Sequence, residues 1–527
     1  MKRLLLGSFV AVSLAVTAAS PSRGAFGGAT VADVADAITE LDVVRARALL
    51  AQVPVDSASL ALERARLSLY VGDCDTASAT LATLSGVREA ASLAELAKAC
   101  AKATAGAVVI EDQARGLWIR LQDEADRVLV PQLSEVAANA RAAIERDLGV
   151  VMPRPLRIDL VRDHFSLSAV SGLPLQAAET TGTVAVARWG RVNLISPRAA
   201  PSGFPWEDTL AHEITHLAVT RATRDAAPLW LQEGLAKRQE TRWRSPRPFD
   251  GEPRADDVAK NALVTGQSVG VDKLGPSIAM LPSADAASTA FAEVSSFVDY
   301  WIAENGRPAL RLLFADLKGM GMDSASDALS SVSGYDLDGW VLRWQDHLLH
   351  LPEVKPGPAG QDPLEALERE LLGSGIAVAG GRDRARALRV AELLLRRGRP
   401  DLAAPRLREA LVSAPSDPAL RFRLGQSFLA SGRADLAAPL FRSDADLDYA
   451  LAGWFALQGR VERGAGDPRA AEGSFELGVA LDPYQEDAAC EGEFTLHDAA
   501  GKPLPAPLPS DPARRALCES ARKIRRD

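Results

Sequence analysis

Five consecutive residues, His212 to His216, have the types and the spacing of a metal site. They read HEITH, and on a helix two histidines four positions apart lie on the same face, so both imidazoles can reach one metal ion. Glu213 adjoins that face and can accept a proton from a metal-bound water. The chain contains only 6 histidines, so a chance HExxH is rare. Two surface histidines on a polar helix face are the disfavoured alternative.

A carboxylate follows at a useful distance. Residues 228–236 read PLWLQEGLA, and Pro228 suits the first turn of a new helix. The stretch between His216 and Glu233 is long enough for a loop and a helix that folds back antiparallel. Two histidines and one carboxylate leave a fourth position open for water, which is the pattern of catalytic zinc. The alternative is that Glu233 is a solvated helix charge. Gly234 can let the two helices approach closely, and Trp230 is expected to be core or a pocket wall.

HExxH, a loop and then WLxEGLA, as found between Asp208 and Glu240, resemble the gluzincin metallopeptidases and most closely the bacterial peptidase MA-like domain. The resemblance covers about residues 150–351. It implies a short sheet before the active-site helix and a helical subdomain after it, which residues 291–306 and 340–348 match.

The resemblance also assigns roles. It implies that His212, His216 and Glu233 bind Zn²⁺, and that Glu213 is the general base and acid in peptide-bond hydrolysis.

The apolar residues Leu210, Ile214 and Leu217 form a stripe on the other side of the motif helix. We predict that this stripe packs against the core.

One position departs from the family pattern. Related domains often carry a tyrosine where Phe291 stands, and a phenylalanine ring cannot donate a hydrogen bond to an oxyanion. Tyr300 or Tyr335 would have to substitute, and Tyr300 is the candidate oxyanion stabiliser. His347 and His350 lack ligand-like spacing and are expected to be packed or solvated.

The elements around the motif are predicted from periodicity. Residues 156–161 alternate with period two, which is typical of a half-buried strand. Two further strands, 183–187 and 191–195, flank a hairpin turn at residues 188–190. The region from Thr30 to about Ala143 is rich in alanine and leucine, and we predict that it is helical with only short breaks. Residues 69–84 resemble part of a tetratricopeptide unit.

The C-terminal part contains a repeat with a step of 34 residues, which is the tetratricopeptide (TPR) period. Glycines recur at the predicted helix turn, alanines where paired helices cross and large apolar residues one turn later. The repeated positions are Gly398, Gly432 and Gly466; Ala403, Ala437 and Ala471; Leu407, Phe441 and Phe475; and, two steps apart, Pro415 and Pro483. The repeats are predicted either to bind a substrate or protein partner or to brace the neighbouring domain.

The N-terminus reads as a signal peptide. Lys2 and Arg3 precede an apolar run that ends in small residues near position 19, so residues 1–24 are predicted to direct export to the periplasm or beyond a bacterial cell. A retained anchor is the alternative. No later stretch is apolar enough to span a membrane.

The 4 cysteines fit an oxidising compartment. Their separation suggests the local pairs Cys74–Cys100 and Cys490–Cys518, although four cysteines allow three pairings. Buried free thiols are the alternative.

Composition sets the limits of these interpretations. The chain has 527 residues, is 47% hydrophobic and carries a net charge of −9, which is typical of a globular protein and argues against nucleic acid as the main partner. The predicted fold class is mainly α with a small β-sheet, an α+β gluzincin-like peptidase domain flanked by TPR-like helical hairpins. The predicted segments are a signal peptide (1–24), an N-terminal helical region (30–145), the peptidase domain (150–351), a linker (352–363), TPR repeats (364–490) and a tail (491–527).

Two functions from different classes remain open. The first is an exported zinc metallopeptidase whose repeats hold a peptide or protein substrate or a protein partner. The second is a TPR binding protein that carries an inactive peptidase-like domain. The same zinc chemistry could also serve a hydrolase of another carbonyl compound. The Pro- and Gly-rich linker further predicts that residues 25–351 fold alone.

Overall fold

The computed structural model describes residues 29–352, 390–492 and 508–524, apart from short gaps. The gaps are residues 55–56, 85, 177–181, 201–203, 247–249, 251–253, 322–324, 392–393, 396–398, 414–417, 432, 442–451 and 465. The predicted signal peptide, Gly398, Gly432, Pro415 and all of the predicted linker except Pro352 lie outside the described residues.

Helices dominate the described chain. Those before and within the peptidase-like part are α1 (Val31–Thr39), α2 (Val43–Gln52), α3 (Ala58–Tyr70), α4 (Cys74–Ala82), α5 (Arg88–Thr104), α6 (Val130–Leu148), α7 (His164–Ser171), α8 (Trp206–Thr223), α9 (Leu229–Gln239), α10 (Ala255–Thr265), α11 (Ala284–Met320), α12 (Ala325–Ser333) and α13 (Leu337–His350). Those after it are α14 (Pro400–Ser413), α15 (Pro418–Ala430), α16 (Ala434–Ala437), α17 (Ala452–Gly464), α18 (Pro468–Leu481), α19 (Glu486–Ala489) and α20 (Pro512–Ile524). Four short 3₁₀ helices join them: Glu124–Leu129, Pro197–Ala199, Ile278–Met280 and Ala438–Phe441.

A five-stranded mixed sheet stands beside the motif helix. Its strands are β1 (Val108–Asp112), β2 (Leu117–Leu121), β3 (Leu156–Val161), β4 (Ala185–Arg188) and β5 (Arg191–Ile195), in the spatial order β1-β2-β3-β5-β4. β2, β3 and β5 are parallel, while β1 and β4 run antiparallel to their neighbours. The three strands predicted from alternation are therefore present, with the middle one shifted by one or two residues.

The prediction that the region from Thr30 to Ala143 is helical with only short breaks is wrong for residues 108–121. There β1 and β2 form a hairpin that joins the sheet through β2 and β3. The reason is that Leu117, Ile119 and Leu121 alternate with polar residues and enter the central core, so tertiary pairing overrides the helix propensity of the flanking alanines.

The three central strands of the sheet are covered on both faces, so the expectation of a half-buried β3 is also wrong. One face presents Ile158 and Leu160 to α6 and α8. The other face carries Asp159, which is only 1% exposed because the N-terminal helices and α7 pack over it. On that side Val161 and Ile195 form a cluster around Cys74 and Cys100.

The repeat registers are visible in the C-terminal helices. Helices α14, α16 and α18 each begin two residues after one of the three spaced glycines. Ala403, Ala437 and Ala471 are buried, as expected where paired helices cross.

Two described helices of the repeat region, α17 and α18, cross closely. A Cβ atom at Gly459 would lie 2.8 Å from Phe475 Cε1. The backbone of α17 at Gly459 therefore packs directly against the Phe475 ring of α18.

The last described helices belong to the same core as the sheet. Val479, Tyr484, Ala488 and Leu517 pack with residues of α6, α8 and α11 in one hydrophobic cluster. Tyr484 donates a 2.7 Å hydrogen bond to the buried Asp126. These contacts oppose the expectation that residues 25–351 form an independent unit.

Two disulfides confirm the suggested pairing. Cys74 is bonded to Cys100 and Cys490 to Cys518, and all 4 cysteines of the chain are thus used. In the described part of the chain, no helix has the length and apolar character needed to cross a membrane.

Candidate metal centre

The motif helix α8 packs one face against the core and carries its two histidines on the opposite face. Leu210 and Ile214 are fully buried and Leu217 is 3% exposed, which confirms the predicted stripe. His212 and His216 project from the opposite side, as the helical period requires. The back of the helix is fixed in the core, so its front can hold side chains in a set geometry.

Helix α9 brings the carboxylate to the histidines by an unusually close helix crossing. A Cβ at Gly234 would lie 2.4 Å from Val298 Cγ2 and 2.6 Å from the backbone oxygen of Val294 on α11. Only glycine fits there, but the helix that approaches Gly234 is α11 and not the motif helix α8, as the sequence analysis had expected. Trp230, one turn earlier, packs its ring edge-on against Phe297 at 5.2 Å.

Three donor atoms converge between α8 and α9. His212 Nε2 and His216 Nε2 are 3.2 Å apart, and Glu233 Oε2 lies 3.6 Å from the first and 3.4 Å from the second. A tetrahedral ion with bonds of about 2.0–2.2 Å has its donors roughly 3.3–3.6 Å apart. The three residues therefore fit a tetrahedral divalent ion with a fourth position left for another ligand.

Glu213 stands beside this triangle. Donor atoms of His212, Glu213 and His216 all lie within 4.8 Å of one another, but Glu233 makes the shorter contacts and completes the triangle. Burial raises the pKa of Glu213, although the two histidines partly oppose the rise. The backbone of Ala187, on β4, also interacts with its carboxylate.

The other ring nitrogens of the histidines have partners that the sequence analysis missed. His216 Nδ1 lies 3.3 Å from Gln232 Oε1, and His212 Nδ1 lies 3.5 Å from Glu240 Oε2. When Nδ1–H donates to such an oxygen, the lone pair of Nε2 is free for a metal ion. Glu240 follows Glu233 by two helical turns, and this spacing is the signal that could have revealed it.

The charges of the cluster depend on one another. Burial would lower the pKa of His212, but its contacts with Glu233 and Glu240 outweigh burial and raise that pKa to about 10. Burial would likewise raise the pKa of Glu233, but His216 and His212 lower it far below its usual range. The carboxylates thus stabilise positive charge at the histidines. A divalent cation bound there would supply the same positive charge.

Tyr300 is not brought to this centre. Its ring stacks on His347 with centroids 4.8 Å apart and meets Trp340 edge-on at 6.2 Å. It follows Phe291 by about two and a half turns of α11 and points from the other side of the helix. The structure therefore gives no support to Tyr300 as an oxyanion stabiliser, and Tyr335 packs on Trp340 in the same remote cluster.

Phe291 is the residue of α11 that reaches the histidines. Its ring meets that of His212 edge-on, with centroids 6.0 Å apart. Phe291, where the family pattern often has a tyrosine, thus places an aromatic ring without a hydroxyl group next to His212.

Comparisons with known proteins agree with the fold and the site. Residues 136–350 match the Peptidase MA superfamily, and residues 388–450 match the tetratricopeptide repeat. No curated protein and no solved structure matched the chain. The chain therefore contains a Peptidase MA superfamily domain followed by a TPR region, as its motifs predicted.

Proposed function

We propose that this protein is an exported zinc metallopeptidase whose TPR region binds a peptide or protein substrate or a protein partner. The observation that carries the proposal is the triangle of His212 Nε2, His216 Nε2 and Glu233 Oε2 with sides of 3.2 to 3.6 Å. Two imidazoles and one carboxylate are a donor set of catalytic zinc.

Each residue of the centre has a defined task in hydrolysis. Zinc, when bound by His212, His216 and Glu233, polarises a peptide carbonyl and lowers the pKa of a bound water. Glu213 accepts a proton from the attacking water and later delivers it to the nitrogen of the leaving amine. Burial raises the pKa of Glu213, which favours a carboxyl group that both takes and returns a proton.

The sheet offers a way to hold an extended peptide. β4 is the last strand in the sheet order, and its Ala187 backbone interacts with Glu213. A peptide that pairs with an edge strand is held by backbone hydrogen bonds, with little dependence on its side chains. This arrangement would place a scissile bond beside the proposed base.

Export is supported by the order of charges and apolar residues at positions 2–20 and by two disulfides. Disulfides form and persist in oxidising compartments. Residues 1–28 fused to alkaline phosphatase should deliver an active enzyme outside the cytoplasm. Phosphatase that stays inactive inside the cell would contradict export.

The deciding experiment is the zinc content of the purified full chain beside Glu233→Ala. One zinc per chain, lost or strongly weakened in the variant, supports the site and justifies a screen of peptide substrates. As a matched control, Glu293→Ala removes a buried glutamate of α11 that accepts from Gly270 N, and it should retain zinc if folded. A native chain without zinc after reconstitution would leave the TPR binding protein as the better function.

A further inference from the structure

The proposed centre is rich in negative charge. Glu213, Glu233 and Glu240 surround two imidazoles, and Phe291 adds no hydrogen-bond donor. Water addition to a peptide carbonyl places a further negative charge on the carbonyl oxygen. A preorganised donor or cation near that oxygen is commonly the largest single contribution to catalysis.

Lys237 brings a positive charge to this place. It follows Glu233 by one turn of α9, so its side chain leaves the helix on the same face as the carboxylate of the triangle. Its Nζ lies 2.6 Å from Glu240 Oε2 and 5.8 Å from the centroid of the Phe291 ring. Both of these neighbours contact His212.

The Lys237 side chain is also accessible to solvent. The Lys237 side chain is 35% exposed, whereas its partner Glu240 is 18% exposed. A lysine carries three donors on a flexible four-carbon stem. Its head group can therefore turn from Glu240 towards a substrate without a change in the helix.

We propose that Lys237 stabilises the oxyanion that forms when water adds to the substrate carbonyl. The bond from the water oxygen to the carbonyl carbon forms, the π electrons move to the carbonyl oxygen, and Glu213 takes the proton. The C–N bond then breaks as that proton passes to the amine, while Lys237 keeps all its protons. This inference rests on the proposed function.

The competing role is purely structural, since Lys237 could act only by neutralising Glu240. The two roles differ in what they affect. A stabiliser of the oxyanion favours anionic analogues of the tetrahedral intermediate and leaves zinc in place. A neutraliser of Glu240 acts through His212, so it affects zinc binding and loses its influence when Glu240 is uncharged.

The test uses the full chain loaded with zinc or cobalt and a mixture of phosphinic dipeptides with varied side chains. Binding is read from the visible spectrum of the cobalt protein, and zinc content is measured beside it. Lys237→Met should bind the phosphinates at least about tenfold more weakly and cleave casein about 10²-fold more slowly, with zinc content unchanged. Lys237→Arg should recover part of both.

The matched control is Lys318→Met. The Lys318 side chain is 38% exposed, and its Nζ lies 3.1 Å from Glu40 Oε1. It therefore resembles Lys237 in exposure and in having a glutamate partner, but it lies away from the metal centre. It should bind phosphinates like the native chain.

Two outcomes in the single variant Lys237→Met would each overturn the inference. One is unchanged phosphinate binding in Lys237→Met, and the other is loss of zinc in that variant. The effect of Lys237→Met should also persist in Glu240→Gln, and its disappearance there would assign Lys237 to the structural role. If the native chain itself holds neither zinc nor phosphinate, the proposed function fails and this inference fails with it.

Discussion

Two buried clusters of charge lie on opposite sides of the chain's core, and they differ in chemistry. Between α8 and α9, histidines and carboxylates place lone pairs around a common point. Across the sheet, Asp159 accepts two hydrogen bonds from Arg120, at 2.9 and 2.7 Å, and one from Arg191 at 2.7 Å. Guanidinium groups offer donors but no acceptors, and those of Arg120 and Arg191 occupy both oxygens of Asp159, so this second cluster does not direct several free lone pairs at one metal position.

The cluster of Arg120, Arg191 and Asp159 instead joins the N-terminal helices to the sheet. Arg120 also donates to the backbone oxygen of Gly72 at the end of α3, which ties the N-terminal helices to the sheet. Arg191 is completely buried, and burial lowers its pKa to about 10 even though Asp159 opposes the change. A buried cluster of charges is therefore not a functional site by itself. The types of atoms that converge decide what it can do.

The largest expected difference between the clusters is in catalysis. Glu213→Gln should keep zinc, because the ligands remain, and lower peptide cleavage by about 10²–10⁴-fold because the proton acceptor is gone. The measurement is kcat/KM on casein with zinc content. Glu293→Gln, a buried control on α11, should keep its activity. Equal activity of Glu213→Gln and the native chain would remove Glu213 from the mechanism.

The sheet cluster should affect stability instead. Asp159→Ala leaves two buried guanidinium groups without their carboxylate, and we expect a loss of about 3–5 kcal/mol in the free energy of unfolding, measured by urea titration. Glu124→Gln, in an exposed pair with Arg127, should change nothing measurable. A folded Asp159→Ala chain of native stability would show that the layers are held by other contacts.

The helix crossing at the metal centre can be tested separately. Gly234→Ala forces α9 away from Val294 and Val298, with an expected cost of about 1–3 kcal/mol and weaker zinc binding, both of which can be measured on one preparation. Gly319→Ala is the control, since a methyl group there meets nothing within 4 Å and should be slightly stabilising. Native zinc affinity in Gly234→Ala would mean that the crossing tolerates a shift.

The smallest effect concerns the attachment of the C-terminal helices. Tyr484→Phe removes one of several hydrogen bonds to Asp126, which also binds Ser196 and Arg198, and should cost about 1–1.5 kcal/mol. Thermal unfolding against the exposed Tyr335→Phe would measure it. A single transition that shifts as a whole would show joint unfolding, whereas two separate transitions would restore the view of an independent peptidase domain.

The sequence predicted the parts of the site that local periodicity controls. His212 and His216 lie one turn apart on α8, and α9 brings Glu233 to them once the two helices fold back on each other. Glu240 and Gln232 were missed because their role depends on which ring nitrogen faces the metal position, and that is set by the angle between two helices. The two-turn spacing from Glu233 to Glu240 places Glu240 on the ligand face, but it does not encode this angle.

The fold, like the site, was predictable where local sequence patterns determine it. β3 and β5 follow from alternation, and the TPR period follows from repeated glycines and alanines. The β1–β2 hairpin was hidden by alanine-rich helices on either side, although Leu117–Leu121 alternates clearly. The burial of Asp159 could not be predicted, because it depends on helices nearly a hundred residues earlier packing over the sheet.

The bond between Tyr484 and Asp126 has a consequence for the order of events on the ribosome. Its partners are separated by 358 positions, and at about 5–20 residues per second roughly 20–70 s pass between their synthesis. In the later part of that time the sheet, α8 and α9 have all been synthesised, but the segment that completes their core has not. A growing chain therefore carries its candidate metal centre beside an incomplete core until Tyr484 and the helices next to it have been synthesised.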